Sequence, residues 1–261
     1  VLMKKILIAE GNLKEENQNF SKAGIQTHTE SLVETLNHFN EHLEFDIVNP
    51  SSDQNIDIIK DKLISYDGLI WGGSSLNIYD NTIEIQKQIE FMKECQKKVK
   101  NILAICWGMQ LAVTAAGGEV KKAEKPHIGI ANAISINENG RKYSIYKGKN
   151  FKFNSPAFNF DEVVRLPNKA ICLASNKTNK IQSLFFQIND TQVWGLQYHP
   201  EIKYEKMIQL IEFRKDKLIN FRKAFKDKKD IGNHIDYIKS EILNSNQDQR
   251  MIEIKNWLNM I

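Results

Sequence analysis

Residues 102–110 read I-L-A-I-C-W-G-M-Q, four apolar residues running into Cys106 and then at once into Trp107-Gly108 and a run of helix formers. A nucleophile elbow needs those parts in that order: a strand, a sharp turn that holds the nucleophile out, and a helix whose first amides face developing negative charge. Ala104 and Gly108, two residues either side of Cys106, leave the room a tight turn requires. The helix N-terminus would favour a thiolate. The alternative is that Cys106 is a small buried hydrophobe at a strand end. A second stretch, G-L-Q-Y-H-P-E (195–201), sets His199 and Glu201 two apart. On an extended chain i and i+2 point to one side, and Pro200 keeps His199 extended. A carboxylate so placed can orient an imidazole and stabilise its charged form; otherwise His199 simply closes a strand beside a solvated acid. In the third stretch, W-G-G-S-S (71–75), a glycine pair follows a buried apolar run. Its backbone amides could complete an oxyanion hole with that of Trp107. As a phosphate cradle it is weak, because no Gly-Lys-Ser/Thr follows.

The surrounding pattern supplies the elements that must position these groups. K-I-L-I-A (5–9), L-E-F-D-I-V (43–48), G-L-I-W (68–71) and I-L-A-I (102–105) read as strands, the first ending in a polar loop. Residues 27–42, 82–98 and 107–116 read as helices, the last stopped by Gly117-Gly118. Near-continuous apolar strands alternating with helices predict a parallel sheet covered on both faces. From 128 to 200 the chain turns strand-rich, with runs at 128–136, 170–175, 181–188 and 192–198. Beyond Glu201 the sequence is charged and helical, with a break expected at 226–233. The division expected is a domain over 1–201 and a helical C-terminal extension over 202–261, packed on or beside it.

The chain has 261 residues and three cysteines, an odd and sparse set that argues against a disulfide framework and for a reducing compartment. The short apolar stretch before Glu10 suits neither a secretory signal nor a membrane span, so the expectation is a cytoplasmic protein. Net charge is +4, and residues 202–261 carry it, with thirteen Lys/Arg against nine Asp/Glu. That excess is interleaved with acids and lacks stacking aromatics, so nucleic-acid binding is not expected.

In order and spacing, A-I-C-W-G-M-Q (104–110), G-L-Q-Y-H-P-E (195–201) and W-G-G-S (71–74) resemble the class I, triad-type glutamine amidotransferases. The resemblance spans residues 4–201 and includes the stand-alone GMP-synthase-like members. It implies an α/β fold of the flavodoxin-like kind, an open, mostly parallel sheet with helices on both faces, plus the C-terminal helices. It also implies Cys106 as nucleophile, His199 as base and Glu201 as its partner, with Gly73 and Trp107 amides at the oxyanion. Gln110, Gly72, Ser74, Asn159 and Phe160 would contact substrate, and no metal or cofactor is implied. Two departures stand out. Ala104 replaces the family's first elbow glycine, and in F-N-F-D-E-V-V-R-L-P (158–167) Asn159 stands where a histidine is common. The reaction implied is hydrolysis of glutamine's side-chain amide through a γ-glutamyl thioester, releasing ammonia. Residues 202–261 are too few for an ATP-using synthetase, so the acceptor would be a separate synthetase. A self-sufficient γ-glutamyl hydrolase or peptidase is the alternative. A non-catalytic or redox-sensing protein on the same fold is a third, against which the intact His-Pro-Glu counts.

Overall fold

In the computed structural model, which describes residues 2–261, the strands are β1 (Lys4–Ala9), β2 (Leu43–Val48), β3 (Gly68–Trp71), β4 (Asn101–Ile105), β5 (Glu119–Ile128), β6 (Ala131–Ile136), β7 (Lys152–Ser155), β8 (Phe158–Arg165), β9 (Ile171–Ser175), β10 (Ser183–Ile188) and β11 (Thr191–Leu196). The helices are α1 (Lys14–Lys22), α2 (His28–Phe39), α3 (Ile56–Lys62), α4 (Ile83–Lys98), α5 (Trp107–Ala115), α6 (Glu138–Arg141), α7 (Tyr204–Asn220), α8 (Lys228–Asn244), α9 (Gln247–Arg250) and α10 (Ile252–Met260). Among the described residues no helix is long and apolar enough to cross a membrane.

Nine strands form one sheet in the order β2-β1-β3-β4-β11-β10-β9-β6-β7. The half from β2 to β11 is parallel, as the alternation of apolar runs and helices predicts. The strand-rich stretch that follows adds β10, β9, β6 and β7 antiparallel. Side chains alternate across the pleat. Leu7, Ala9, Ile102 and Ala104 therefore enter one core, with Phe91 and Met92 of α4 and Leu111 and Ala112 of α5. Ile6, Ile8, Leu103 and Ile105 enter the other, with Leu32 and Leu36 of α2 and Trp257 and Leu258 of α10. A third cluster joins Phe20 of α1 and Phe158 of β8 to Met207, Leu210 and Ile211 of α7 and Ile231, Ile235 and Ile238 of α8. α2 and α4 start where side chains cap them: Thr27 accepts from the Glu30 amide and Thr82 from the Ile85 amide.

Two local readings need correction, and one strand went unread. The polar stretch after β1 holds α1, whose single fully buried side chain, Phe20, is too little apolar periodicity to announce a helix. Residues 119–128, E-V-K-K-A-E-K-P-H-I, form β5, paired antiparallel with β8 outside the main sheet. The chain break lies earlier than 226–233, because the Asp227 side chain caps α8 by accepting from the Asp230 amide. The charged run K-D-K-K-D is thus the start of a helix.

α10 closes the sheet. Trp257 is fully buried, and a Cβ on Gly68 would lie 2.5 Å from its ring, so the strand gives up a side chain to admit the indole. Lys4 Nζ donates to the Leu258 carbonyl at 3.0 Å. Truncating Trp257 to alanine is expected to cost on the order of 3–5 kcal/mol, read as a lower urea midpoint at an unchanged m-value; an unaltered midpoint would mean that α10 is not part of the cooperative core.

Candidate active site

The site sits where β4 and β11, neighbours in the parallel half, both end. Cys106 leaves β4 with φ 55° and ψ −106°, a conformation rare for a residue with a side chain. Its amide donates to the Leu196 carbonyl of β11 at 2.6 Å, and its carbonyl accepts from the Gln110 amide at 3.1 Å, opening α5. The thiol is therefore anchored on both sides. Gly108 is required, because a Cβ there would stand 2.2 Å from the Trp71 carbonyl oxygen. Instead its amide donates to the Gly72 carbonyl at 3.2 Å, tying the loop after β3 to the first turn of α5.

His199 follows β11, with its amide donating to the Pro156 carbonyl at 2.8 Å. Its ring is buried, and Nδ1 lies 2.6 Å from Glu201 Oε1. The carboxylate accepts, so Nδ1 carries a proton and the other ring nitrogen is left for the thiol. Burial alone would lower the histidine's pKa. The Glu201 carboxylate and the charge and hydrogen bond of Cys106 outweigh it and push His199 up to about 10. Gly73 packs against this ring: a Cβ there would meet His199 Cε1 at 2.8 Å. Among the described residues, neither the Gly73 amide nor the Trp107 amide donates to a protein group. Cys106, His199, Glu201, Gly73 and Trp107 thus lie together in one place.

The other expected residues are placed less directly. Gln110 is buried one turn below Cys106, its amide nitrogen donating to the Asp161 carbonyl (3.1 Å) and to Gln197 Oε1 (3.2 Å). Gly72 ties the loop to α5 as described. Ser74 Oγ accepts from the Leu76 amide at 3.1 Å. Asn159 is bonded within a buried network, to the Asp161 carbonyl and Asn179 Oδ1 at 2.9 Å each and to His127 Nδ1 at 2.9 Å. His127, pushed down to about 4 chiefly by burial, is a neutral member of that network. Phe160 lies under the Arg222 guanidinium, 4.0 Å from its ring centroid.

Sequence reasoning missed four neighbours. Gln197 donates to Cys106 Sγ at 3.5 Å, and the thiol faces the Phe158 carbonyl at 3.7 Å. Gln197 lies just past the end of β11, in the bend that leads to His199, where no simple period singles it out. His28 stacks on His199 with ring centroids 5.6 Å apart, and Lys206 Nζ lies 3.2 Å from its Nδ1. No short-range pattern links His28 to Lys206, and only the packing of α2 on α7 brings them together. The other two cysteines stand away from this site. Cys95 is buried in the core under α4, where burial pushes its thiol above the usual range, and Cys172 lies on β9.

The chain is similar in sequence and fold to several known proteins. The family model described as glutamine amidotransferase class-I matches residues 25–216. A γ-glutamyl-L-1-hydroxyisopropylamide hydrolase of a Pseudomonas species is 30% identical over 202 residues, covering 76% of this chain and 68% of that protein. One of the subunits of glutamine-hydrolysing GMP synthase from Sulfolobus acidocaldarius is 28% identical over 172 residues, covering 66% of this chain and 85% of the relative. The crystal structure of a glutamine amidotransferase from Thermotoga maritima superposes with a TM-score of 0.69 at 16% identity, covering 100% of this chain and 98% of that one, and so shares the fold. With its family model spanning most of its length, the chain belongs to the class-I glutamine amidotransferases.

Proposed function

We propose that the chain is a cysteine-dependent glutamine amidotransferase that hydrolyses the side-chain amide of glutamine and releases ammonia. The observation that carries this reading is one arrangement: a buried thiol fixed on a strained turn, against a buried imidazole bonded to a buried carboxylate at 2.6 Å. Cys106 Sγ, as thiolate, attacks the amide carbon, and the negative charge passes to the amide oxygen. The Gly73 and Trp107 amides hold that oxygen at the N-terminus of α5. His199, an imidazolium under the pull of Glu201, gives its proton to the departing nitrogen, and ammonia leaves as the carbonyl re-forms. In the second half His199 takes a proton from water. The resulting hydroxide attacks the γ-glutamyl thioester, releasing glutamate and the thiolate. Gln110 and Gln197, bonded to each other and to the thiol's surroundings, fix the floor of the site. Asn159, Phe160, Gly72 and Ser74 line its approaches in this reading. The relatives named as GMP synthase subunits support delivery of ammonia to a separate synthetase.

A second reading is favoured by the Pseudomonas relative, named for hydrolysis of a γ-glutamyl amide larger than glutamine. The same atoms perform that reaction with an amine in place of ammonia as the leaving group. Purified protein assayed on glutamine and on a panel of γ-glutamyl amides and dipeptides separates the two. Turnover of glutamine at least as fast as any other member supports the first reading. A γ-glutamyl amide turned over ~10-fold faster or more, by the kcat/KM ratio that measures discrimination, supports the second.

Both readings require the same three side chains. Cys106→Ser is expected to lower kcat/KM by roughly 10³-fold or more, in line with loss of a nucleophile elsewhere; near-wild-type turnover would sink both. Glu201→Gln removes the anion that raises His199, so the histidine's titration midpoint, followed by NMR, falls from about 10 toward its ordinary value. Below the lowered midpoint the imidazolium persists, and above it the general acid is lost; activity therefore begins to fall at a lower pH than in the wild type. A midpoint unmoved by this substitution would contradict the role given to Glu201.

A further inference from the structure

His199 is supported from behind by groups that the triad does not include. The His28 ring lies parallel to that of His199 within 28°, with centroids 5.6 Å apart. Both rings press on Gly73, where a Cβ would meet His28 Cδ2 at 3.2 Å and His199 Cε1 at 2.8 Å. The Lys206 ammonium reaches His28 Nδ1 at 3.2 Å and Ser31 Oγ at 2.8 Å. An ammonium can only donate, so Nδ1 of His28 accepts and its ring proton resides on Nε2. His28 is held neutral: burial first, then the cations Lys206, His199 and Arg214, keep it well below the ordinary histidine range. Two stacked imidazoles cannot both be charged at little cost, and keeping His28 neutral leaves the positive charge to His199. One oxygen of the pair's carboxylate, Glu201 Oε2, has no hydrogen-bond partner.

Resting on the assignment of His199 as general acid and base, we propose that Lys206 and His28 are positioning residues for it. The Lys206 ammonium pins a neutral His28, and the stacked His28 ring holds the His199 imidazole flat against Gly73 and in register with the thiol. Lys206 is the element of this support that titrates. Burial lowers it to about 8, opposed by Glu201 beyond β11, Glu10 after β1 and Glu30 on α2, and assisted by Arg214 on its own helix. A cavity of about 260 Å³ lined by Ser31, Glu201 and Lys206 gives its ammonium a route to solvent. When Lys206 loses its proton, the bond to His28 Nδ1 loses its charge assistance, and the neutral amine, which can accept as well as donate, no longer fixes which ring nitrogen of His28 carries the proton. The stacked ring is then free to change tautomer and orientation, and the base loosens with it.

The test is the pH dependence of kcat at saturating substrate, with the His199 Cε1–H resonance followed in parallel. In the wild type, kcat falls and the His199 resonance inflects near pH 8, below the histidine's own titration. Lys206→Arg keeps a cation that does not titrate there, so it retains kcat within a few-fold and loses the inflection. Lys206→Met lowers kcat roughly 10- to 100-fold, as a slight misplacement of a reacting group does, with KM little changed. The proposal is overturned by a Lys206→Arg variant that keeps the inflection near pH 8, or by a Lys206→Met variant with wild-type kcat. The resonance needs no substrate. A wild-type protein that turns over no γ-glutamyl compound yet shows the inflection would therefore refute the proposed reaction and leave the positioning pair standing. Turnover without the inflection would do the reverse.

Discussion

The backbone of one residue sets the conditions for everything around it. Cys106 occupies φ 55° with a side chain attached, a conformation that costs on the order of 1–3 kcal/mol. It persists because its neighbours leave the chain no other path. β4 is paired on both edges, Leu196 takes the cysteine's amide, and α5 begins at the next residue with its glycine locked to the Gly72 carbonyl. A relaxed Cys106 would require breaking either the ladder with β11 or the seat of α5. The strained turn sets the thiol, itself buried, at the end of the strand and directly before a helix N-terminus.

The proposed reaction also requires an imidazole that stays charged in a buried place. Desolvation opposes a charged imidazole, and only closely placed anions can reverse it. Glu201 lies two residues from His199 in the chain and 2.6 Å from it in space, and the cysteine itself supplies the other favourable charge. Small residues make this closeness feasible. Gly73 admits the His199 ring and Gly108 admits the Trp71 carbonyl, so neither accepts a methyl group without displacing the machinery.

Much of this was legible in the chain because the signals are local. The apolar runs ending at Ala9, Trp71 and Ile105 each become a parallel strand, and the strand-turn-helix order around Cys106 becomes the turn it predicts. His199 and Glu201 do meet, but across a turn and not along the extended segment expected: residues 200–201 turn, and the Ile202 amide donates to the His199 carbonyl at 3.3 Å. What escaped detection has no such local signal. α1 carries one fully buried side chain, β5 is dominated by lysines and glutamates, and the K-D-K-K-D run conceals a capped helix start. The stack of His28 on His199 and the reach of Lys206 join residues far apart in sequence, through the packing of α7 against α2. The roles expected of Gln110 and Asn159 were drawn from a family resemblance, and their side chains here are engaged with other protein groups. A substrate must therefore exchange some of those bonds or use neighbouring backbone.

In the proposed reaction Cys106 forms a γ-glutamyl bond through its sulfur. Mass spectrometry of the full chain after reaction with 6-diazo-5-oxo-L-norleucine, an electrophile that carries glutamine's amino-acid end, tests it directly. One adduct per chain is expected, on the peptide containing Cys106, suppressed by excess glutamine or a competing γ-glutamyl amide. An adduct on Cys95 or Cys172, or none at all, would contradict it.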